Sequence, residues 1–109
     1  MIIFVGGPGA RNYFDNQTAL GLARKFLEED KLVTAICIGP AILAKAGVLK
    51  NKQATIWARP NKMEGVEILK ENGAVYVVQD VVIDGNIITA NGPEAAENFG
   101  KKILEVLGE

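Results

Sequence analysis

One residue in this chain combines a reactive side chain with a setting that could put it to use. Cys37, the only cysteine among 109 residues, sits in Ala35-Ile36-Cys37-Ile38-Gly39-Pro40, between an apolar run with strand character and an apolar-periodic stretch with helix character. That placement predicts a nucleophile elbow: the reactive residue caps a tight strand-to-helix turn, small neighbours permit a strained backbone, and the helix N-terminus directs positive potential at the side chain. Free cysteine is also among the most buried residue types, so a small core hydrophobe is the plain alternative. Gly39 and Pro40 tip the balance, because a core cysteine has no need of them and strand ends that run into helix starts are where open α/β sheets place ligands. The partners of a thiol nucleophile are harder to find, since the chain has no histidine to act as a base.

A second feature lies near the start. Gly6-Gly7-Pro8-Gly9 comes after an apolar strand and offers backbone amides to an anion, although neither the G-x-G-x-x-G nor the GK[ST] spacing is present. A tight turn explains it equally well. In a parallel sheet adjacent strand ends share one edge, so the Gly6 and Gly7 amides are expected to face Cys37 and to form an oxyanion hole with the Ile38 amide. The remaining polar candidates have simpler accounts: Asp15, Asp30 and Asp84 as turn or cap residues, Glu64, Glu67 and Glu71 as a solvated helix face, and Trp57, Arg59 and Asn61 as surface loop residues.

These residues need elements to position them. Ile2–Val5 reads as a buried strand, succeeded by a helix from about Asn16 to Glu29 with Leu20, Ala23 and Leu27 on one face. Leu32–Ile36 is apolar on both faces, which calls for a parallel sheet covered on both sides. Pro40 fits the first turn of the next helix and Gly47 its C-terminal cap. Next come a strand over Ala54–Trp57, a helix over Met63–Glu71 stopped by Gly73, and a strand over Val75–Val78. Val81–Ile83 and Ile87–Thr89 flank Asp84-Gly85-Asn86 as a β-hairpin. Pro93 and Glu94 open a last helix carrying Ala96, Phe99, Ile103 and Val106 or Leu107 at helical spacing.

The bulk properties fit a single α/β domain. Hydrophobic residues make up 49% and charged residues 23%, and twelve basic against thirteen acidic residues leave a net charge of -1. Without a basic cluster there is little attraction for nucleic acid or an acidic membrane, and no apolar stretch is long enough to span a bilayer. One cysteine excludes an internal disulfide, so a reducing cytoplasm is the expected compartment. No cofactor and no metal are assigned.

The runs Gly6-Gly7-Pro8-Gly9-Ala10, Lys31 to Ala41 with Leu43, Ala46 to Lys50, and Val81 to Thr89 with Gly92-Pro93 together resemble the PfpI/ThiJ family of class I glutamine amidotransferase-like proteins, in the family's order from Met1 to about Leu107. The resemblance implies a flavodoxin-like three-layer sandwich with a mostly parallel sheet and a C-terminal β-hairpin, Cys37 as the nucleophile, and the Gly6, Gly7 and Ile38 amides as oxyanion donors. It also marks two departures. Protease-like members carry a histidine where this chain has Ile38, which argues against peptidase activity. Members further carry an N-terminal βαβ portion, of roughly 60 residues on the scale of such units, with a glutamate that hydrogen-bonds the cysteine. The similarity of this sequence is confined to the C-terminal portion of the family, and no residue here takes that glutamate's place. The expected partner is therefore either a second copy or a separate chain bearing the N-terminal half. Three functions are compatible with these features: a thiol enzyme acting on reactive carbonyls or peptides, a redox-sensing thiol domain, or a flavodoxin-like binding or assembly module.

Overall fold

The computed structural model describes residues 1–6 and 14–108. Strand β1 (Ile2–Val5) leads to helix α1 (Gln17–Glu28), β2 (Val33–Ile36), α2 (Pro40–Lys45), β3 (Gln53–Ala54), α3 (Glu64–Glu71), β4 (Val75–Tyr76), β5 (Val81–Asp84) and β6 (Ile87–Ala90). A 3-10 turn (Pro93–Ala95) then feeds α4 (Ala96–Val106). The main sheet has the order β1-β2-β6-β5, parallel except for the β5–β6 hairpin, while β3 and β4 form a separate parallel pair. This mixed α/β fold with a mostly parallel sheet is the class the sequence predicts.

Local chemistry sets the boundaries. Asn16 caps α1, its side-chain oxygen accepting from the Ala19 amide at 3.0 Å, so the helix proper begins one residue later than its apolar period suggests. Gly47, at φ +83, takes the left-handed position after α2. In the hairpin Asp84 pairs with Ile87, leaving Gly85-Asn86 as a two-residue loop, and the Asp84 carboxylate accepts from the Gln53 amide at 2.8 Å. That bond ties the small β3–β4 pair to the main sheet.

The strand expected over Ala54–Trp57 stops at Ala54 because its later amides are drawn elsewhere. The Thr55 amide donates to Thr89 Oγ1 at 3.0 Å and the Trp57 amide to the Cys37 carbonyl at 2.9 Å. The partner strand, expected to reach Val78, correspondingly ends at Tyr76.

Side chains alternate between two apolar clusters. Val33, Ala35 and Ile87 join Leu20, Ile42 and Leu69, whereas Ile36, Ile88 and Ala90 join Phe99 and Ile103 of α4. Because neighbours on one strand point to opposite faces, the clusters lie on opposite sides of the sheet. Three threonines are buried among them. Thr34 donates to the Ile2 carbonyl at 3.0 Å and Thr89 accepts from the Thr55 amide, but Thr55 Oγ1 has no partner among the described residues. Thr89→Val, which strands the buried Thr55 N–H, is expected to cost about 1–3 kcal/mol in urea unfolding, whereas Thr55→Val, which removes an unpaired hydroxyl, should be neutral or stabilising by up to ~1 kcal/mol.

β1 departs from the expectation of a buried strand. Among the described residues it pairs with β2 alone, and Ile3 and Val5 are 42% and 71% exposed. Its apolar composition is that of an inner strand, yet it lies at the sheet edge. Among the described residues no helix is long and apolar enough to cross a membrane.

Candidate functional site

The site is built at the C-terminal ends of the parallel strands. β2 ends at Ile36, the chain turns through Cys37 at φ +65, and α2 starts at Pro40. A left-handed backbone costs an L-residue such as cysteine about 1–2 kcal/mol, so the surrounding structure must impose it. It does so from three sides: the Cys37 amide donates to the Ala90 carbonyl of β6 at 3.0 Å, the Cys37 carbonyl accepts from the Trp57 amide, and the Ile36 carbonyl accepts from both Gly6 and Gly39 at 3.0 Å.

Two glycines make that packing possible. A Cβ on Gly6 would run into the Ile38 amide nitrogen, with the Gly39 nitrogen at 2.8 Å, and one on Gly39 would run into the Phe4 carbonyl oxygen, with that of Ile36 at 2.9 Å. The end of β1 and the elbow are thus in backbone-to-backbone contact, which only glycine permits. Gly39 has an ordinary right-handed backbone, φ -53 and ψ -38, so its requirement is one of space and not of torsion.

The expected oxyanion donors fare differently. The Gly6 amide is committed to the Ile36 carbonyl, so Gly6 is a packing residue here and not a free donor. Its amide points back at β2 because it continues the parallel ladder by one residue, a detail hidden from the glycine pattern. Gly7, with Pro8, Gly9 and Ala10, lies outside the described residues. The Ile38 amide precedes the helix and has no protein acceptor among the described residues.

Cys37 is half-buried and free, and no side chain among the described residues hydrogen-bonds its sulfur. It packs beside the cluster under α4 and lines an apolar groove of about 500 Å³ with Ile3, Val5, Ile36, Phe99 and Ile103. Beyond the elbow, Ile38 and Trp57 open onto a second cavity of about 400 Å³ that is more polar, bordered by Asn61, Lys62, Glu64 and Glu67. Arg59 stacks on the Trp57 ring at 5.1 Å and reaches the exposed Glu94 at 3.9 Å, a solvent-side pair of little energetic weight. Sequence reasoning missed Ala90 and the Trp57 backbone as supports of the elbow and the Phe99–Ile103 face of α4 as its wall. The i,i+4 spacing of Phe99 and Ile103 was the available signal.

With this geometry established, similarity to known proteins becomes informative. The model of the DJ-1/PfpI family matches residues 1–106. The chain belongs to the DJ-1/PfpI family. An uncharacterised protein of Methanocaldococcus jannaschii is 44% identical over 107 residues, covering 97% of this chain and 51% of that protein. A glutathione-independent glyoxalase of Caenorhabditis elegans is 31% identical, covering 98% and 54%. The crystal structure of a ThiJ/PfpI domain protein from Brachyspira murdochii superposes with a TM-score of 0.88 at 30% identity, covering 97% of this chain and 60% of that one. DJ-1/PfpI relatives also include a deglycase of Pyrococcus furiosus and an isonitrile hydratase of Pseudomonas putida. The chain spans little more than half the length of the curated relatives it matches.

Proposed function

We propose that this chain carries the nucleophile of a cysteine-dependent DJ-1/PfpI enzyme that acts on small reactive carbonyl compounds. The observation that carries the reading is the backbone of Cys37, an L-residue held at φ +65 between β2 and α2 with a groove at its side chain. Strain of this kind persists where the surroundings enforce it and is concentrated at functional sites. The names of the deglycase and glyoxalase relatives support this choice of substrate class. In the first step the Cys37 thiolate adds to the carbonyl carbon, the π electrons of the C=O bond move to oxygen, and that oxygen takes the Ile38 N–H as hydrogen-bond donor before protonation by water to a hemithioacetal.

The apolar wall formed by Ile3, Val5 and Phe99 favours a small, uncharged aldehyde over a charged one. Peptide hydrolysis fits less well, since the sequence has no histidine to serve as general base. The test is the alkylation rate of Cys37 by iodoacetamide, in the folded chain and in urea at the same pH. A nucleophile held open at an elbow should react at least as fast folded as unfolded. A folded rate tenfold or more below the unfolded one would make Cys37 a core residue and leave the binding or assembly reading of the fold in its place.

A further inference from the structure

An asparagine followed by glycine readily loses its side-chain amide, because glycine has no Cβ to keep its own backbone nitrogen away from the neighbouring Cγ. The chain holds two such pairs, Asn72-Gly73 and Asn91-Gly92, and the fold treats them in opposite ways. At the end of α3 both reacting groups are held: Asn72 Nδ2 donates to the Ile68 carbonyl at 2.8 Å, and the Gly73 amide donates to the Lys70 carbonyl at 3.1 Å. At the end of β6 neither is held. The Asn91 amide donates to the Asp80 carbonyl at 3.0 Å, but the half-buried Asn91 side chain and the Gly92 amide make no hydrogen bond among the described residues.

The free pair also lies between two supports of the elbow. Asn91 follows Ala90, whose carbonyl accepts from the Cys37 amide. Gly92 packs on Trp57, where a Cβ would sit 3.2 Å from the ring's Cδ1, and the Trp57 amide donates to the Cys37 carbonyl.

We infer that Asn91-Gly92 is a site of spontaneous modification whose product loosens the frame around Cys37. The Gly92 nitrogen gives up its proton to solvent and attacks Asn91 Cγ. The bond from Cγ to Nδ2 breaks, and Nδ2 takes up a proton and leaves as ammonia. The resulting cyclic imide takes up water at one of its two carbonyls and opens to aspartate or to isoaspartate. Water is the only co-reactant, and the sum exchanges the side-chain amide for a carboxylate with release of ammonia. Both products add a negative charge. Isoaspartate also routes the main chain through the former side-chain methylene, so the link between Ala90 and Gly92 grows by one carbon and one of the two supports must shift.

The inference does not depend on carbonyl chemistry. It is tested by keeping the folded chain in mildly alkaline buffer, sampling it over days, and following the peptides that contain Asn72 and Asn91 by mass for the exchange of NH2 for OH. The expected result is conversion at Asn91 about tenfold or more faster than at Asn72, with the two rates converging to within about threefold in urea, where both side chains are released. Chromatography on an anion exchanger then separates the product by its added charge. In its isoaspartate fraction, hydrogen exchange at the Cys37 amide should be about tenfold or more faster than in the unmodified chain. Asn91→Gln, which places the amide one carbon too far for ready ring closure, should show neither change. Conversion of Asn91 in the folded chain no faster than that of Asn72 would overturn the site, and unaltered Cys37 exchange in the isoaspartate fraction would overturn its link to the elbow.

Discussion

Gly39→Ala and Gly6→Ala are each expected to destabilise the chain by about 3 kcal/mol or more, enough to unfold a marginal domain. The new methyl group at either position meets backbone atoms and not the movable end of a side chain: Ile38 and Gly39 nitrogens and the Ile36 oxygen for Gly6, Phe4 and Ile36 oxygens for Gly39. Relief requires β1 to move away from the elbow, which breaks the bond from the Gly6 amide to the Ile36 carbonyl and loosens the frame that holds Cys37 at positive φ. Gly21 is the internal control. It lies within α1 with open space around the site of a Cβ, so Gly21→Ala should stabilise by roughly 0.5–1 kcal/mol through helix propensity alone. Urea unfolding of the three variants checks the contrast, and losses at Gly6 and Gly39 no larger than ~1 kcal/mol would mean that the elbow is not braced by β1.

Much of this site was legible in the sequence for physical reasons. The elbow was readable because Ile36-Cys37-Ile38-Gly39-Pro40 places a helix-starting proline directly after a strand, and few local structures satisfy both. The hairpin was readable because Asp84-Gly85-Asn86 supplies the turn chemistry between two apolar runs, and the structure tightens it by one pair. Both are local matters. The features that escaped depend on tertiary partners. Thr55 and Trp57 have the composition of strand residues, but Thr89 and Cys37 capture their amides across the fold. The Gly6 amide was expected at an oxyanion and instead extends the sheet, because the register of β1 against β2 decides where it points. Ile2–Val5 looks buried by composition, and its exposure on one side comes only from its place at the edge of the strand order.

The second large effect concerns the chemistry itself. If the Cys37 sulfur forms the bond to the carbonyl carbon, then Cys37→Ser keeps the size and the backbone of the elbow while replacing a strong nucleophile by a hydroxyl. No histidine exists to activate that hydroxyl. The loss should be about a hundredfold or more, close to 3 kcal/mol of transition-state stabilisation. Trp57 and Ala90, which hold the elbow through backbone groups only, offer no substitute nucleophile. The most direct measurement is the rate at which a small 2-oxoaldehyde such as methylglyoxal is consumed by the chain, for the native sequence and for Cys37→Ser. The expected result is consumption by the native chain, falling at least a hundredfold in the serine variant. Equal rates for the two, or no consumption by the native chain, would contradict a nucleophilic role for Cys37.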